Sequence, residues 1–358
     1  MKIFRKRSRS EAARTAKPAS PSTSAEPTES SPESADQKDS LDLEAPANIG
    51  SDRPAGMVWI PSGKCLLGSD QHYPEEGPAG WAELEGFWLD QTTVTNRQFR
   101  EFILASGYRT VAERSPDPKM YPNADPILLV PGSIVFKKAA RPISLADPNA
   151  WWSWTPGACW NHPTGPGSTI DNLDDHPVVQ VCYSDATAYA IWAEKRLPSE
   201  AEWEHAARAG HQGWEFIWPG DELLPDGQRV SNHFHGEFPW KYKPLSPDHR
   251  QPSPVRARSF EPNDWGLYQM AGNVWEWTES WYLDHQINLS GKSCCAPHPQ
   301  LDPSVEASLD PEHGIPRKVL KGGSFLCAEN YCRRYRPAAR IPETIESATN
   351  HISFRCAR

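Results

Sequence analysis

Cys327 and Cys332 stand five positions apart in the stretch KGGSFLCAENYCRRYR, residues 321–336. Side chains at that spacing point to opposite faces of a strand and sit about 140° apart around a helix, so the two sulfurs meet only where the backbone turns. Ala328, Glu329 and Asn330 permit a turn, Asn tolerating turn conformations at low cost. A turned pair of this kind is a structural disulfide, a metal clip or a reactive dithiol. Lys321, Arg333, Arg334 and Arg336 surround it in sequence with positive charge, which favours thiolate, and thiolate is both nucleophile and metal ligand. Two soft thiolates without neighbouring imidazoles suit Cu(I) better than zinc, which usually takes four ligands.

A second cluster is NHFHGEF, residues 232–238. On a strand, His233, His235 and Glu237 share one face, a pattern that can grip iron or zinc; exposed polar side chains are the plainer reading. Other signatures fail on one residue each. Gly291-Lys292-Ser293 imitates the end of a phosphate loop, but Gln286 stands where its first glycine must be. The acidic run from Asp171 to Asp175 lacks the glycine of a calcium loop and reads as a solvated turn.

The elements that position these residues lie in one region of the 358-residue chain. Residues 1–53 are Pro, Ser, Thr and Glu with few aromatic or β-branched side chains, which predicts a disordered tail. Nine basic and nine acidic residues balance within it, so the net charge of -9 falls on 54–358 and argues against nucleic-acid binding. No secretory signal follows the basic opening and no long apolar run occurs, so we expect a cytoplasmic protein without a membrane span. Sixteen tryptophans, 36 prolines and 23 glycines predict a loop-rich fold pinned by flat rings. Eight cysteines in a chain this long make no small-protein disulfide framework, and Cys65, Cys159, Cys182, Cys294, Cys295 and Cys356 read as ordinary thiols.

From Gly56, the segment MVWIPSGKCLLGS reads as two short strands around Pro61-Ser62-Gly63. A strand and turn follow, then a helix capped by Thr95 with Gln98, carrying Phe99, Phe102 and Ile103 on one stripe and stopped by Gly107. Residues 110–165 are Pro-rich and aperiodic, predicting long loops. A strand through Val178 and Val181 is expected to lead into a helix near Asp185. A second helix there is capped by Ser199 with Glu202 and ends at Gly210. The class is α+β, one domain over 54–358.

Five blocks in this order, GMVWIPSGKCLLGS, HPVVQVCYSDATAYAIWAEKRLPSEAEWEHAARAG, GLYQMAGNVWEWT, KGGSFLCAENYCRRYRPAAR and ISFRCAR, resemble the formylglycine-generating enzymes, or sulfatase-modifying factors. The resemblance implies a C-type-lectin-like domain with little regular structure. It implies oxidation, by dioxygen, of a cysteine in a Cys-x-Pro-x-Arg segment of an unfolded sulfatase to formylglycine. It places a Cu(I) site on Cys327 and Cys332, Ser324 beside them, and Trp275 on the pocket wall. It also implies calcium at Gln269, Gly272, Val274 and Glu276, with a second calcium beginning at Asn232 and His233, where Asp248 is the nearest downstream acid. The chain departs from the family at Ala190, Ala207 and Pro337, which replace disulfide positions of secreted members, and at Ala328, His351 and Ser353. The competing expectations on the same scaffold are an iron-dependent oxygenase or sulfoxide synthase using the histidine cluster, and a lectin-like binding module without catalysis. In each case a monomer is expected.

Overall fold

The computed structural model describes residues 53–118, 125, 128–283 and 305–358. All of the expected tail but Arg53 therefore lies outside the described residues, as do Cys294, Cys295 and the phosphate-loop imitation. Among the described residues, twelve short strands and three α-helices are joined by long irregular segments, the loop-rich α+β architecture expected from the tryptophan and proline content. Among the described residues no helix is long and apolar enough to cross a membrane.

Strands β1 (Met57–Ile60) and β2 (Gly63–Leu67) flank the Pro61 turn, but they do not pair with each other. Their partners are β4 (Phe87–Asp90) and β3 (Gly80–Leu84), respectively, both antiparallel. Helix α1 (Asn96–Ser106) has the expected capping box, with the Thr95 main-chain N–H donating to Gln98 Oε1 at 2.9 Å, and Gly107 ends it in the left-handed region at φ 67°. Phe99 and Phe102 are fully buried, and Phe99 meets Trp160, Tyr189 and Phe354 at centroid distances of 5.5, 6.0 and 6.4 Å. Such ring pairs contribute about 0.5–1.5 kcal/mol each beyond area burial.

Two expectations are corrected. The Pro-rich region contains a hairpin, β5 (Gly132–Phe136) against β6 (Trp152–Pro156), paired from Gly132↔Pro156 to Phe136↔Trp152. Strand β5 is almost wholly buried and β6 is of intermediate exposure as far as Thr155, with Pro156 exposed, so neither alternates and a period-2 reading passes over them. Residues 178–181 form no strand. They run buried and irregular, Val178 N–H donating to Val94 O at 2.9 Å and Gln180, at φ 62°, to Thr349 O at 3.0 Å. Helix α2 (Tyr183–Trp192) accordingly opens two residues before Asp185, whose carboxylate accepts from Cys182 N–H. Helix α3 (Glu200–Arg208) has the predicted Ser199–Glu202 capping box, and its left-handed cap is Ala209, one residue ahead of Gly210.

After the two-residue strands β7 (Gly236–Glu237) and β8 (Lys241–Tyr242), the chain enters the central sheet. This sheet has order β11–β10–β9–β12, from β9 (Trp275–Trp281), β10 (Arg317–Lys321), β11 (Arg340–Thr344) and β12 (Ile352–Ser353). β9 and β10 are antiparallel, so the start of β9 and the end of β10 lie side by side, Glu276 opposite Lys321. Trp275 and the loop leading to Ser324 and Cys327 are thereby delivered to the same end of the sheet.

Candidate active site

Leaving β10, the chain passes Gly322 and Gly323, both at positive φ. A Cβ on Gly323 would lie 2.4 Å from the Arg334 carbonyl oxygen, so only glycine lets the two limbs of the cysteine loop approach. Gly323→Ala is expected to lower stability by about 1–3 kcal/mol through backbone strain, measured by urea denaturation; an unchanged midpoint would contradict this close packing.

Cys327 N–H donates to Ser324 O at 3.0 Å, and Tyr331 and Cys332 N–H both donate to Ala328 O, at 3.1 and 2.8 Å. That turn solves the five-residue spacing: the two Sγ atoms are 3.3 Å apart. Both cysteines are free thiols at a separation well beyond the roughly 2.05 Å of a disulfide. Asn330 secures the turn through its side chain, exchanging hydrogen bonds with the main chain of Phe238 at 3.1 and 3.3 Å. Ser324 is buried, its N–H directed to Cys327 Sγ at 3.5 Å and its Oγ accepting from Leu326 N–H. Trp275 is buried in the same core as Cys327 and Tyr335. The structure thus gathers Cys327, Cys332, Ser324 and Trp275 at one end of the sheet.

Of the four cations near the pair in sequence, only Arg334 is held to a sulfur, Nη1 lying 3.8 Å from Cys332 Sγ. Lys321 turns into the core, 2.9 Å from Glu204, and Arg336 makes a buried fork with Glu76 at 2.7 and 2.5 Å. Arg333 is half-exposed, 3.8 Å from Glu215. Carboxylates distant in sequence claim these charges, so the expected crowd of cations reduces to one. Arg334 itself is aimed by an ion pair with Glu75 and by the Tyr73 ring, 3.8 Å below its guanidinium. Tyr73, Glu75 and Glu76 escaped the sequence reading; the compact acidic run beside Tyr73 was the available signal.

The two thiols differ. The hydrogen bond from Cys327, then the Arg334 charge, push the Cys332 pKa down to about 6, while burial and the same neighbour raise that of Cys327. Of the pair, Cys332 is the sulfur at which the thiolate is favoured and Cys327 the one at which the thiol is favoured. Cys332 alkylation by iodoacetamide should therefore rise with pH through about 6, because the thiolate is the nucleophile and is lost by protonation below that value. Peptide mapping reads the modification, and a midpoint near that of free cysteine would refute the assignment.

As donors, two sulfurs with no third ligand fit a soft monovalent ion such as Cu(I): among the described residues no three His, Cys, Asp or Glu side chains gather as a metal site. The iron cluster is not assembled. His233 and His235 do approach, ring centroids 3.9 Å apart, but Glu237 is exposed and paired to Lys241 at 2.9 Å, its cross-strand partner in β8.

The calcium expectation meets a competing cation. Gln269, Gly272 and Asn273 all hold positive φ in the loop before β9, and Val274 and the β9 residue Glu276 that follow are buried. Glu276 accepts Arg355 Nε and Nη2 at 2.7 and 2.8 Å and Trp203 Nε1 at 2.7 Å. Gln269 donates to Arg256 O. With its one carboxylate committed to a guanidinium, this loop does not fit an ion that takes six to eight oxygens. At the second position Asn232 donates to Ser253 O and Asn273 Oδ1, and His233 turns its ring to Ser231, while Asp248 is exposed.

Beside the cysteine turn lies a cleft of about 580 Å³, lined in part by Leu223, His233, His235, Lys243 and Glu329. Tyr331, 39% exposed, stacks on Phe238 at 4.5 Å and meets Trp151 edge-on, an aromatic wall next to Cys332.

Residues 44–358 match the family model of the sulfatase-modifying factor enzyme 1-like domain. The chain belongs to this family. It is 44% identical over 307 residues to the formylglycine-generating enzyme of Mycobacterium tuberculosis, covering 84% of this chain and 96% of that one. Against the formylglycine-generating enzyme of Bos taurus, identity is 36% over 328 residues, covering 89% of this chain and 79% of the relative. A third relative, the inactive C-alpha-formylglycine-generating enzyme 2 of Bos taurus, is 34% identical over 316 residues, with 86% and 90% covered. Among solved structures, PvdO from Pseudomonas aeruginosa shares the fold at TM-score 0.52 and 21% identity, covering 84% of this chain and 93% of that one. Family membership thus carries the loop-rich fold. Because one relative is named inactive, it does not by itself carry catalysis.

Proposed function

We propose that this family member is a copper-dependent formylglycine-generating oxidase, acting on a cysteine within a Cys-x-Pro-x-Arg segment of an unfolded sulfatase. One observation carries the reading: two unbridged sulfurs 3.3 Å apart, with no third His, Cys, Asp or Glu side chain gathered beside them among the described residues. Cys327 and Cys332 would hold Cu(I), and the ion supplies a soft coordination position for the substrate thiol and one-electron chemistry with dioxygen.

The chain's own residues then bind and orient. The main-chain turn closed on Ala328 O fixes both sulfurs, and Asn330 ties that turn to Phe238. Arg334, braced by Glu75 and Tyr73, keeps positive charge at Cys332 and so favours the thiolate form in which that residue would serve as a ligand. Tyr331 offers an exposed ring against which an extended segment packs. Such positioning of a reactant is worth orders of magnitude in rate. Converting a cysteine to formylglycine removes two electrons from carbon and expels sulfide, with water supplying the aldehyde oxygen. Dioxygen takes four electrons on reduction to water, so a thiol reductant supplies the other two.

The test is mass spectrometry of a Cys-x-Pro-x-Arg peptide incubated with copper-loaded protein, dioxygen and a thiol. The expected product has exchanged SH and one H for a doubly bonded oxygen. Protein that retains no copper and consumes no oxygen would instead be a binding module of this fold. Activity that follows iron would restore the competing oxygenase.

A further inference from the structure

The loop between β2 and β3, residues 68–79, reaches the second limb of the cysteine turn, and the Leu67↔Gly80 pair closes its base. Within it Ser69 N–H donates to Glu76 O at 3.1 Å and Ala79 N–H to Asp70 Oδ1 at 3.1 Å. Outside it, Gly68 N–H is held by Glu204 of α3 at 2.8 Å, and Glu75 O accepts from Arg340 Nη1 of β11 at 3.3 Å. The loop is thus an arm fixed at several points. Three of its side chains are directed at residues 333–336: Tyr73 and Glu75 at Arg334, and Glu76 at Arg336.

The two sulfurs are anchored differently. Cys327 is held on both sides of its own residue, its N–H donating to Ser324 O at 3.0 Å and its carbonyl accepting from Phe234 N–H at 2.8 Å. Cys332 N–H bonds Ala328 O, but the chain then leaves the turn, and Arg333 N–H donates to the Tyr73 hydroxyl at 3.1 Å. The Tyr73 ring also lies 3.8 Å from the Arg334 guanidinium, whose Nε donates to Glu75 Oε1 at 3.2 Å and whose Nη1 is 3.8 Å from Cys332 Sγ. One side chain therefore grips both the main chain after Cys332 and the cation at its sulfur. Docking the loop does not require this, because the buried fork of Glu76 on Arg336 already does so.

We propose that Tyr73 is a positioning residue for the sulfur pair, fixing Cys332 through its hydroxyl and its ring so that Cu(I) meets two sulfurs already in place. This rests on the proposed function, in which Cys327 and Cys332 hold that ion. A donor fixed before binding loses less freedom when the ion arrives, so the contribution of Tyr73 is read as affinity. Tyr73 acts through Arg333 and Arg334 and not as a ligand, since a phenol oxygen is a hard donor and Cu(I) a soft ion.

Competition for Cu(I) against bicinchoninate, whose copper complex is coloured, tests it on the full chain, alongside a thermal melt of the metal-free protein. Tyr73→Phe keeps the ring beneath Arg334 and loses the acceptor for Arg333 N–H. Its Cu(I) affinity should fall about three- to tenfold, as for one hydrogen bond. The melt should stay unchanged, because this hydrogen bond lies at the surface and water replaces the hydroxyl. Tyr73→Leu removes the ring as well and should bind more weakly still, so that phenylalanine recovers part of the loss. Should Tyr73→Leu fail to fold, Tyr73→Phe decides alone. An unchanged affinity in Tyr73→Phe would overturn the assignment. So would a loss of affinity matched by an equal loss of metal-free stability, which would make the loop a structural support only. A wild type that binds Cu(I) with this dependence on Tyr73 yet makes no aldehyde would sink the enzyme reading and leave the assignment standing, whereas one that retains no Cu(I) would overturn both.

Discussion

Cys332→Ser, and equally Cys327→Ser, is expected to abolish aldehyde formation on the Cys-x-Pro-x-Arg peptide, by on the order of 10³-fold or more, as when one member of a cooperating constellation is removed. Serine retains the size of the side chain and the turn, whose hydrogen bonds are made by the main chain around Ala328 and by Asn330. The thermal midpoint should therefore move little while copper binding is lost, because a neutral hydroxyl is a poor ligand for a soft ion. Turnover by mass spectrometry, copper retention after desalting and a thermal melt read these outcomes separately. Equal turnover by either variant ends the mechanism. Loss of folding would mean that the sulfurs serve the core instead.

Arg355→Gln is expected to cost about 3–5 kcal/mol of stability, the usual penalty for breaking a buried ion pair from one side. Glu276 and Arg355 are 1% and 0% exposed, so neither reaches water when its partner is lost. Arg355 also donates to the carbonyls of Asp90 and Tyr268, joining the last segment of the chain to the end of β4 and to the loop before β9. Urea denaturation of both proteins gives the difference, and a change below about 1 kcal/mol would show that the pair is dispensable. Replacing both residues by leucine should recover only part of the loss, since it removes the buried charge but takes from Trp203 Nε1 and from the Asp90 and Tyr268 carbonyls the partners they have here. The same measurement bears on calcium: an ion that needed the Glu276 carboxylate would have to displace this guanidinium.

The cysteine pair, the capping boxes of α1 and α3, and the α+β class were legible in the residues because each depends on short-range rules. A five-residue spacing demands a turn, and Thr95 with Gln98 or Ser199 with Glu202 closes a local ring. The reading erred where partners are distant. Lys321 and Arg336 were counted as charge around the sulfurs, yet Glu204 and Glu76, 117 and 260 positions away, hold them elsewhere. Residues 178–181 have strand composition, but the neighbours that meet them are Val94 and Thr349, not the strand of a sheet.

By itself, the sequence determined that a dithiol turn would form, that the chain would be rich in loops, and to which family it belongs. The tertiary structure decided which arginine reaches the sulfur pair, that Glu237 pairs with Lys241, and that Glu276 faces Arg355. The reason is physical: turns and caps are satisfied within a few residues, whereas the charge on a sulfur or the fate of a carboxylate depends on burial and on groups brought close only by the completed fold.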